Sequence, residues 1–378
     1  MKYKLGDIAT FSQGKQIEID EQFLKKDENH SIRFIRIVDY TNPEEPIRYV
    51  KNYGERYYAT ENEVIMIRYG SQTAGKVVMG KNGIIANNMF KMNFDNSIIK
   101  NKYAYYYLSQ DRIFNYLRSS QSSSTMPAIS FGMLNDFVID IPEIKTQEKV
   151  IALLDIIDKK INYNTHTNNN LYKTFRSIYK NTFLNKTTNT IKFSDFNEIG
   201  NLVMGQSPKG SSYNEEKIGL PLINGAADYK DGMLNPNKYT SEPTRVCNAK
   251  DLVFCIRATI GQLTIADQEY CLGRGVACIS NINELYYEYV FNIIEESIDK
   301  LKAVATGSVI LGLSKDDINN LEVYKPTLEE IEKFHKLEQP ILNRIIEIKK
   351  QNKTLEQIRD TLLPKLMNGE IDLDKIEI

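Results

Sequence analysis

An internal repeat, offset by 184 residues, is the feature that most constrains how this chain folds. The repeated positions are Ile129, Ser130, Phe137, Ile141 and Pro142 in the first copy and Leu313, Ser314, Leu321, Lys325 and Pro326 in the second. In each copy a strand-like segment and a proline lead into a strongly helical stretch. The chain therefore consists of a globular half, a long helix, a second globular half and a second long helix.

Each helical stretch carries apolar residues at alternating steps of three and four, the pattern of a coiled-coil seam. We predict two helices, roughly 60 Å long for about 40 residues, that pack antiparallel because the chain turns back near 187–190. Pro340 is expected to start or kink the second helix, since it removes a backbone donor. The predicted seam residues are Val150, Ile157, Leu171, Ile178, Phe334, Ile341, Ile348, Leu355 and Leu362.

Asn168 and Asn352 occupy equivalent seam positions, one in each helix. A buried asparagine costs stability but fixes the register and orientation of paired helices. The alternative is that both are incidental polar residues on solvated stretches of helix.

The globular halves are predicted to be α+β, because alternating apolar runs such as 64–67 and 252–256 are mixed with turn residues and a few helices. The predicted fold is two similar α+β domains in tandem repeat, separated by two long helices packed as an antiparallel coiled coil. The expected boundaries are 1–142 for the first domain, 143–187 for the central helix, 188–326 for the second domain and 327–378 for the C-terminal helix.

Composition and charge limit the possible functions. No run of about 20 apolar residues could span a bilayer, and the first residues lack the apolar core of a signal peptide, so we expect a cytoplasmic protein. The net charge is −1, so bulk electrostatics alone would not hold nucleic acid. Four cysteines without CxxC spacing are predicted to be reduced packing residues. Three histidines leave little for a metal site.

Two segments come close to catalytic motifs. Residues 70–77 nearly match the phosphate-binding GxxxxGK[ST] loop, but Val77 lacks the hydroxyl for magnesium and a strand-like segment follows instead of a helix. Asp140, Glu143 and Lys145 could suggest a nuclease cluster, but Pro142 interrupts it and Glu143 lies at a helix start, where the helix dipole favours an acid. The sequence therefore favours binding over catalysis.

The whole chain resembles the specificity subunit of type I restriction–modification systems. The resemblance rests on LGDIATFSQG (5–14), IPEIKTQEKVIALLDIIDKKI (141–161), GQSP (205–208), PLINGAADY (221–229), DLVFCIRATIGQ (251–262), LGRGVACI (272–279) and TLEQIRDTLLPKLMNGEI (354–371). One departure is the first half's Gly14-Lys15-Gln16-Ile17, which has no proline to match Pro208 and leaves the shape of that loop open.

The resemblance implies a non-catalytic subunit whose two domains each read one half of an interrupted site in double-stranded DNA. It further implies that two methyltransferase subunits dock on the helices and that restriction (motor and nuclease) subunits join them. The cofactors S-adenosylmethionine, ATP and magnesium would then belong to those partners, with no cofactor or metal in this chain and no membrane contact.

Candidate DNA-binding residues lie in loops rich in the side chains that contact bases and phosphates. They are Gln13, Lys15, Gln16, Arg68, Gln72, Lys76, Ser123 and Thr125 in the first half, and Gln206, Ser207, Lys209, Arg257, Thr259, Gln262, Arg274 and Ser308 in the second. Each alone could be an ordinary solvated loop residue. Two other functions remain open at this point: a coiled-coil scaffold without DNA binding, and a stand-alone DNA-modifying enzyme.

Overall fold

The computed structural model of the protein describes residues 1–42, 45–70, 73–119, 128–306 and 311–375. The chain forms two compact units, one made of Met1–Ile161 and Thr354–Ile378 and the other of Asn162–Lys353. Each unit combines one globular half with one end of each long helix. The two long helices and the α+β halves are as predicted, whereas the four-part division at 142, 187 and 326 stays a prediction.

The first unit contains two four-stranded sheets. Its elements are β1 (Lys2–Lys4), α1 (Leu5–Ile8), β2 (Ala9–Gln13), β3 (Ile32–Ile35), α2 (Val38–Thr41), β4 (Arg48–Val50), β5 (Tyr58–Ala59), β6 (Val64–Ile67), β7 (Val77–Met79), β8 (Gly83–Ile85), β9 (Met89–Phe94), α3 (Asn101–Leu108), α4 (Asp111–Ser119), α5 (Phe131–Asn135), β10 (Val138–Asp140) and the start of α6 (Ile144–Tyr179). One sheet has the order β2-β9-β6-β7 and is antiparallel. The other has the order β4-β3-β8-β5, with β3 and β8 parallel.

The second unit repeats this plan. Its elements are β11 (Thr190–Lys192), β12 (Asn201–Met204), β13 (Tyr213–Asn214), β14 (Leu220–Ile223), β15 (Tyr229–Lys230), β16 (Met233–Leu234), β17 (Tyr239–Thr240), β18 (Val246–Cys247), β19 (Leu252–Cys255), β20 (Gly261–Ile265), β21 (Tyr270–Leu272), β22 (Val276–Ser280), α7 (Tyr287–Val304), α8 (Lys315–Asn319), β23 (Glu322–Tyr324) and α9 (Leu328–Met367). The antiparallel sheet β12-β22-β19-β20 matches β2-β9-β6-β7 strand for strand. In the other sheet, β14 and β21 form the parallel pair.

The apolar runs at the centre of each half are explained by burial on both faces of the sheet. In β6, Val64 and Met66 pack into the cluster that contains the helices, whereas Ile65 and Ile67 pack against the second sheet. Successive side chains of a strand point to opposite faces, so a strand covered on both sides needs apolar residues at every position. β19 alternates in the same way between its two clusters.

The long helices run antiparallel in the second unit, because residues further along α6 contact residues closer to the start of α9. Asn164 Nδ2 donates to Asn352 Oδ1 at 2.8 Å and Asn168 Nδ2 to the Ile345 carbonyl at 3.4 Å. The rings of Tyr179 and Phe334 lie 6.2 Å apart. Asparagines thus pair across the two helices, but the partner of Asn352 is Asn164 and not Asn168. α9 begins at Leu328 and continues through Pro340, so this proline does not start the helix, and a kink at Pro340 stays a prediction.

The nine predicted seam residues differ in burial. Val150, Ile157, Phe334 and Ile348 are buried, whereas Leu171, Ile178, Ile341, Leu355 and Leu362 are partly exposed. Leu154, Phe175 and Ile345, each four residues after a predicted seam residue, are fully or almost fully buried, and the ring of Phe175 packs on that of Phe291 in α7. The helices therefore also bury residues that face the globular halves, which a two-helix seam alone does not require.

A buried acid lies where α7 packs on α9. Glu338 has no exposed surface, and by distance and angle neither carboxyl oxygen has a hydrogen-bond partner among the residues described, although the Asn292 side chain lies close by. Burial raises the pKa of Glu338 to about 8, with a smaller raising effect from the nearby Glu288 and a lowering effect from the Asn292 side chain. Glu288 is itself in contact with His335 Nδ1 at 2.7 Å. Burial of an unpaired carboxyl disfavours its charged form, so the folded protein holds this proton more tightly than the unfolded chain.

Glu338→Gln is expected to make the protein more stable at alkaline pH. The pKa of Glu338 is higher in the folded protein than in the unfolded chain. Its contribution to the stability of the fold is therefore complete below about pH 4.5 and is lost as the pH rises through about 8. Glutamine cannot ionise, so the variant should gain roughly 1–3 kcal/mol over wild type at pH 9. Urea denaturation from pH 5 to 9 measures this. The matched control is Glu329→Gln on the exposed face of α9, and equal pH slopes for wild type and Glu338→Gln would contradict the assignment.

Candidate nucleic-acid interface

The same sheet edge carries the candidate residues in both units. Antiparallel pairing of β2 and β6 with β9 brings the ends of β2 and β6 together with the β8–β9 turn. Gly14 N–H donates to the Met89 carbonyl at 3.0 Å and Lys15 N–H to the Ile85 carbonyl at 2.8 Å. In the second unit, Gly205 donates to Val276 at 2.9 Å and Gln206 to Leu272 at 2.8 Å. The two loops therefore have equivalent backbone hydrogen bonds.

This equivalence answers the question raised by the missing proline. Ile17 and Pro208, each three residues after its glycine, are both buried. A Cβ at Gly14 would lie 2.1 Å from the Ala86 carbonyl oxygen, and one at Gly205 would lie 2.1 Å from the Gly273 carbonyl oxygen. Close approach of backbone to backbone thus requires glycine in both loops. The proline is not needed for the loop to pack in this way.

In the first unit, polar side chains at this edge form a connected chain. An Arg68 guanidinium nitrogen donates to Gln13 Oε1, and Gln13 Nε2 donates to the Asn87 carbonyl. Asn87 Nδ2 donates in turn to Gln16 Oε1. Gln16 Nε2 lies 3.3 Å from Glu18 Oε1. The loop after β2, the end of β6 and the β8–β9 turn are thereby held together by side chains as well as by backbone.

Aromatic rings hold two of the candidate cations. The Arg68 guanidinium carbon lies 5.1 Å from the ring centroids of both Tyr69 and Phe131. Lys15 Nζ lies 5.4 Å from the ring of Tyr53 and 5.6 Å from that of Tyr57. Cation–π attraction at these distances restrains long side chains. Lys76, just before β7, is exposed, with its ammonium 5.8 Å from the centroid of the Phe114 ring.

In the second unit, the loop after β12 packs against the β21–β22 turn. Arg274 N–H donates to Ser207 Oγ at 3.3 Å, and Thr244 Oγ1 donates to the Gln206 carbonyl. The candidates Gln206, Lys209 and Arg274 are exposed around this contact, and Ser207 is partly exposed. Arg257, Thr259 and Gln262 are exposed in and beside the β19–β20 loop.

The strand registers correct one sequence equivalence. Ile67 pairs with Met89, and Cys255 pairs with Val276. Since Met89 and Val276 accept the same loop hydrogen bond, Arg257 corresponds to Tyr69, whereas the resemblance of RYGSQTAGKVVM (68–79) to RATIGQLTIA (257–266) aligns Arg257 with Arg68. Similar residue types one position apart made the two alignments indistinguishable from sequence.

Sequence reasoning did not include Asn87, which joins Gln13 to Gln16. The available signal was the polar pair Asn87-Asn88 between two apolar runs, which is typical of any turn. Four candidates, Gln72, Ser123, Thr125 and Ser308, lie outside the described residues.

Other kinds of site have little support. Within the described ranges, no three His, Cys, Asp or Glu side chains are grouped so that they could hold a metal ion. All four cysteines are free and buried, as predicted. No helix in the described part of the chain is both long and apolar enough to cross a membrane.

Comparison with known proteins gives a consistent result. The family model for the type I restriction modification DNA specificity domain matches residues 1–173 and 186–360. The MjaX specificity subunit of a type I restriction enzyme from Methanocaldococcus jannaschii is 28% identical over 297 residues, covering 72% of this chain and 69% of that protein. The MjaIX specificity subunit of the same organism is 23% identical, covering 80% and 76%. A crystal structure of the S subunit from M. genitalium shares the fold, with TM-score 0.58, 17% identity and coverage of 97% and 95%.

Proposed function

This chain belongs to the type I restriction modification DNA specificity family, and from that premise we propose that each of its two halves reads one part of an interrupted DNA site. It is a DNA specificity subunit of a restriction–modification complex, and its role is recognition rather than catalysis. The two alternatives, a coiled-coil scaffold without DNA binding and a stand-alone DNA-modifying enzyme, are therefore set aside.

The observation that carries the proposal is the repeated sheet edge. Both units present a loop after the first strand of the same four-stranded sheet, packed against the same turn. Two similar readers in one chain suit a ligand with two half-sites. Loops on a rigid sheet are also where binding residues are commonly found.

Different residue types at each edge suit different parts of the DNA. Exposed lysines such as Lys76 and Lys209 suit phosphates, which position a protein on DNA without reading its sequence. Amide and guanidinium groups suit base edges in the major groove. Because the whole chain has a net charge of −1, attraction to DNA depends on this local concentration of polar and basic groups and on the partner subunits.

The long helices are the proposed docking surface for two methyltransferase subunits, which restriction subunits then join. In the first unit, Ile156 on α6 is 57% exposed and Ile358 on α9 is 43% exposed. Lys159, on α6, is also exposed and lies 4.0 Å from Asp155. Apolar residues exposed on paired helices suit a protein partner. In this proposal S-adenosylmethionine, ATP and magnesium belong to those subunits, and the assembly acts on DNA in the cytoplasm.

Methylation assays test the proposal directly. The purified chain alone is expected to transfer no methyl group from S-adenosylmethionine to DNA. The cognate methyltransferase subunit should methylate a defined interrupted sequence only when this chain is added. Methyl transfer by the chain alone, or the same sequence preference without it, would contradict the proposal.

A further inference from the structure

One position is equivalent in the two candidate interfaces but carries a different side chain in each. In the β8–β9 turn, Met89 N–H donates to the Ala86 carbonyl at 3.0 Å, and in the β21–β22 turn Val276 N–H donates to the Gly273 carbonyl at 3.2 Å. The residue after the accepting carbonyl is Asn87 in the first turn and Arg274 in the second. Both turns contact the loop that follows the first strand of their sheet.

Asn87 is held firmly and keeps part of its hydrogen-bonding capacity. Its Nδ2 donates one hydrogen to Gln16 Oε1, and its backbone carbonyl accepts a hydrogen bond from Gln13 Nε2. An amide NH₂ has two hydrogens and its oxygen two lone pairs. One Nδ2 hydrogen therefore remains, and Oδ1 has no hydrogen-bond partner among the residues that the structure describes. The residue is partly exposed, and the remaining Nδ2 hydrogen and Oδ1 form an adjacent donor–acceptor pair that a ligand could use.

Arg274 projects from a turn that has little room to move. A Cβ at the following residue, Gly275, would lie 2.0 Å from the Asn224 carbonyl oxygen. The backbone N–H of Arg274 is bonded to Ser207 Oγ at 3.3 Å. The guanidinium is exposed and, in the described part of the chain, forms neither a hydrogen bond nor an ion pair. The N–H donors of the Arg274 guanidinium are therefore available to a ligand, and the backbone that carries them is held in place.

Arg68, by contrast, is engaged within the protein. Its guanidinium donates to Gln13 and lies beside the rings of Tyr69 and Phe131. It therefore positions the polar chain in the first unit and has less to offer a ligand than Asn87 has.

We propose that this turn residue reads a base in each half-site: Asn87 reads adenine and Arg274 reads guanine. Asparagine is suited to the N6 and N7 edge of adenine, and arginine to the O6 and N7 edge of guanine, in the major groove. The proposal rests on the function proposed above and adds the class of base that each half recognises.

The test begins with the wild-type complex. The chain and its cognate methyltransferase subunit are co-expressed in a host without its own modification enzymes, and methylated bases are mapped across the genome. An interrupted motif with a fixed adenine in one half and a fixed guanine in the other is expected. The absence of any motif would overturn the proposed function itself, whereas a motif without that adenine and guanine would overturn only this inference.

Variants then assign the two bases. Arg274→Ala should relax one guanine position by about tenfold or more and leave the other half-site unchanged. Asn87→Ala should do the same to one adenine in the opposite half. Lys300→Ala, an exposed position on α7, is the control and should leave the motif intact. An unchanged motif in Arg274→Ala, or relaxation of the same half-site by both variants, would overturn the inference.

A second measurement covers the case in which a variant no longer methylates. Wild-type complex is bound to duplexes in which each guanine of the motif is replaced in turn by 7-deazaguanine, which lacks the N7 acceptor. Binding should weaken by about tenfold at one guanine, in the half-site opposite the one Asn87 reads. Equal binding to every substituted duplex would overturn the assignment of Arg274.

Discussion

Phe334→Ala is expected to lower the free energy of unfolding by about 3–5 kcal/mol, the usual cost of removing a buried phenylalanine side chain. Phe334 is 2% exposed. Its ring centroid lies 5.0 Å from that of Phe183, 6.2 Å from that of Tyr179 and 6.3 Å from that of Tyr289. Aromatic rings from α6, α7 and α9 meet here, so the cavity would open where the long helices join the second globular half. Urea denaturation monitored by circular dichroism measures the change.

Leu337→Ala is the matched control, because Leu337 lies on the same helix and is 60% exposed. Its effect should stay within about 0.5 kcal/mol, as for most surface substitutions. A loss below about 1 kcal/mol in Phe334→Ala would contradict the packing described for the second unit.

Exchanging residues 188–326 for the equivalent segment of a relative is expected to change one half-site completely and leave the other intact. The ends of this segment are paired with each other, since Thr190 pairs with Tyr324 and Lys192 with Glu322. The two ends of the segment thus lie side by side, as the ends of an exchangeable domain do. Mapping of methylated motifs with the cognate methyltransferase measures the outcome.

The reciprocal exchange of residues 1–142 is the control. Lys2 pairs with Asp140 and Lys4 with Val138, so this segment is closed in the same way. It should alter the half-site that the first exchange spares. If either exchange altered both half-sites or neither, the two halves would not be independent readers.

The repeat and the helical periodicity were sufficient to predict the tandem α+β halves and the two long helices, because both signals are carried by regular spacing along the chain. The seam was predicted less completely. The apolar repeat also includes Leu154 and Phe175, which are fully buried, but it does not reveal that Phe175 packs on Phe291 of α7. Pro340 illustrates the same limit, since α9 continues through it.

The candidate interface was less predictable still. Its loops are defined by close approach between segments distant in sequence, as between Gly14 and the Ala86 carbonyl. Local residue types identified Gln13, Gln16 and Arg274, but not their neighbours in space. The side chain that joins Gln13 to Gln16 is Asn87, whose sequence context indicates only a turn.

The most direct test of the central claim is to footprint the chain, assembled with its cognate methyltransferase subunits, on a duplex that contains the mapped site. Two readers in one chain predict two separately protected half-sites, each lost when its own bases are scrambled while the other stays protected at higher complex concentration. Protection that is absent, or that does not depend on the sequence of either half-site, would contradict the claim that this chain supplies a two-part DNA specificity.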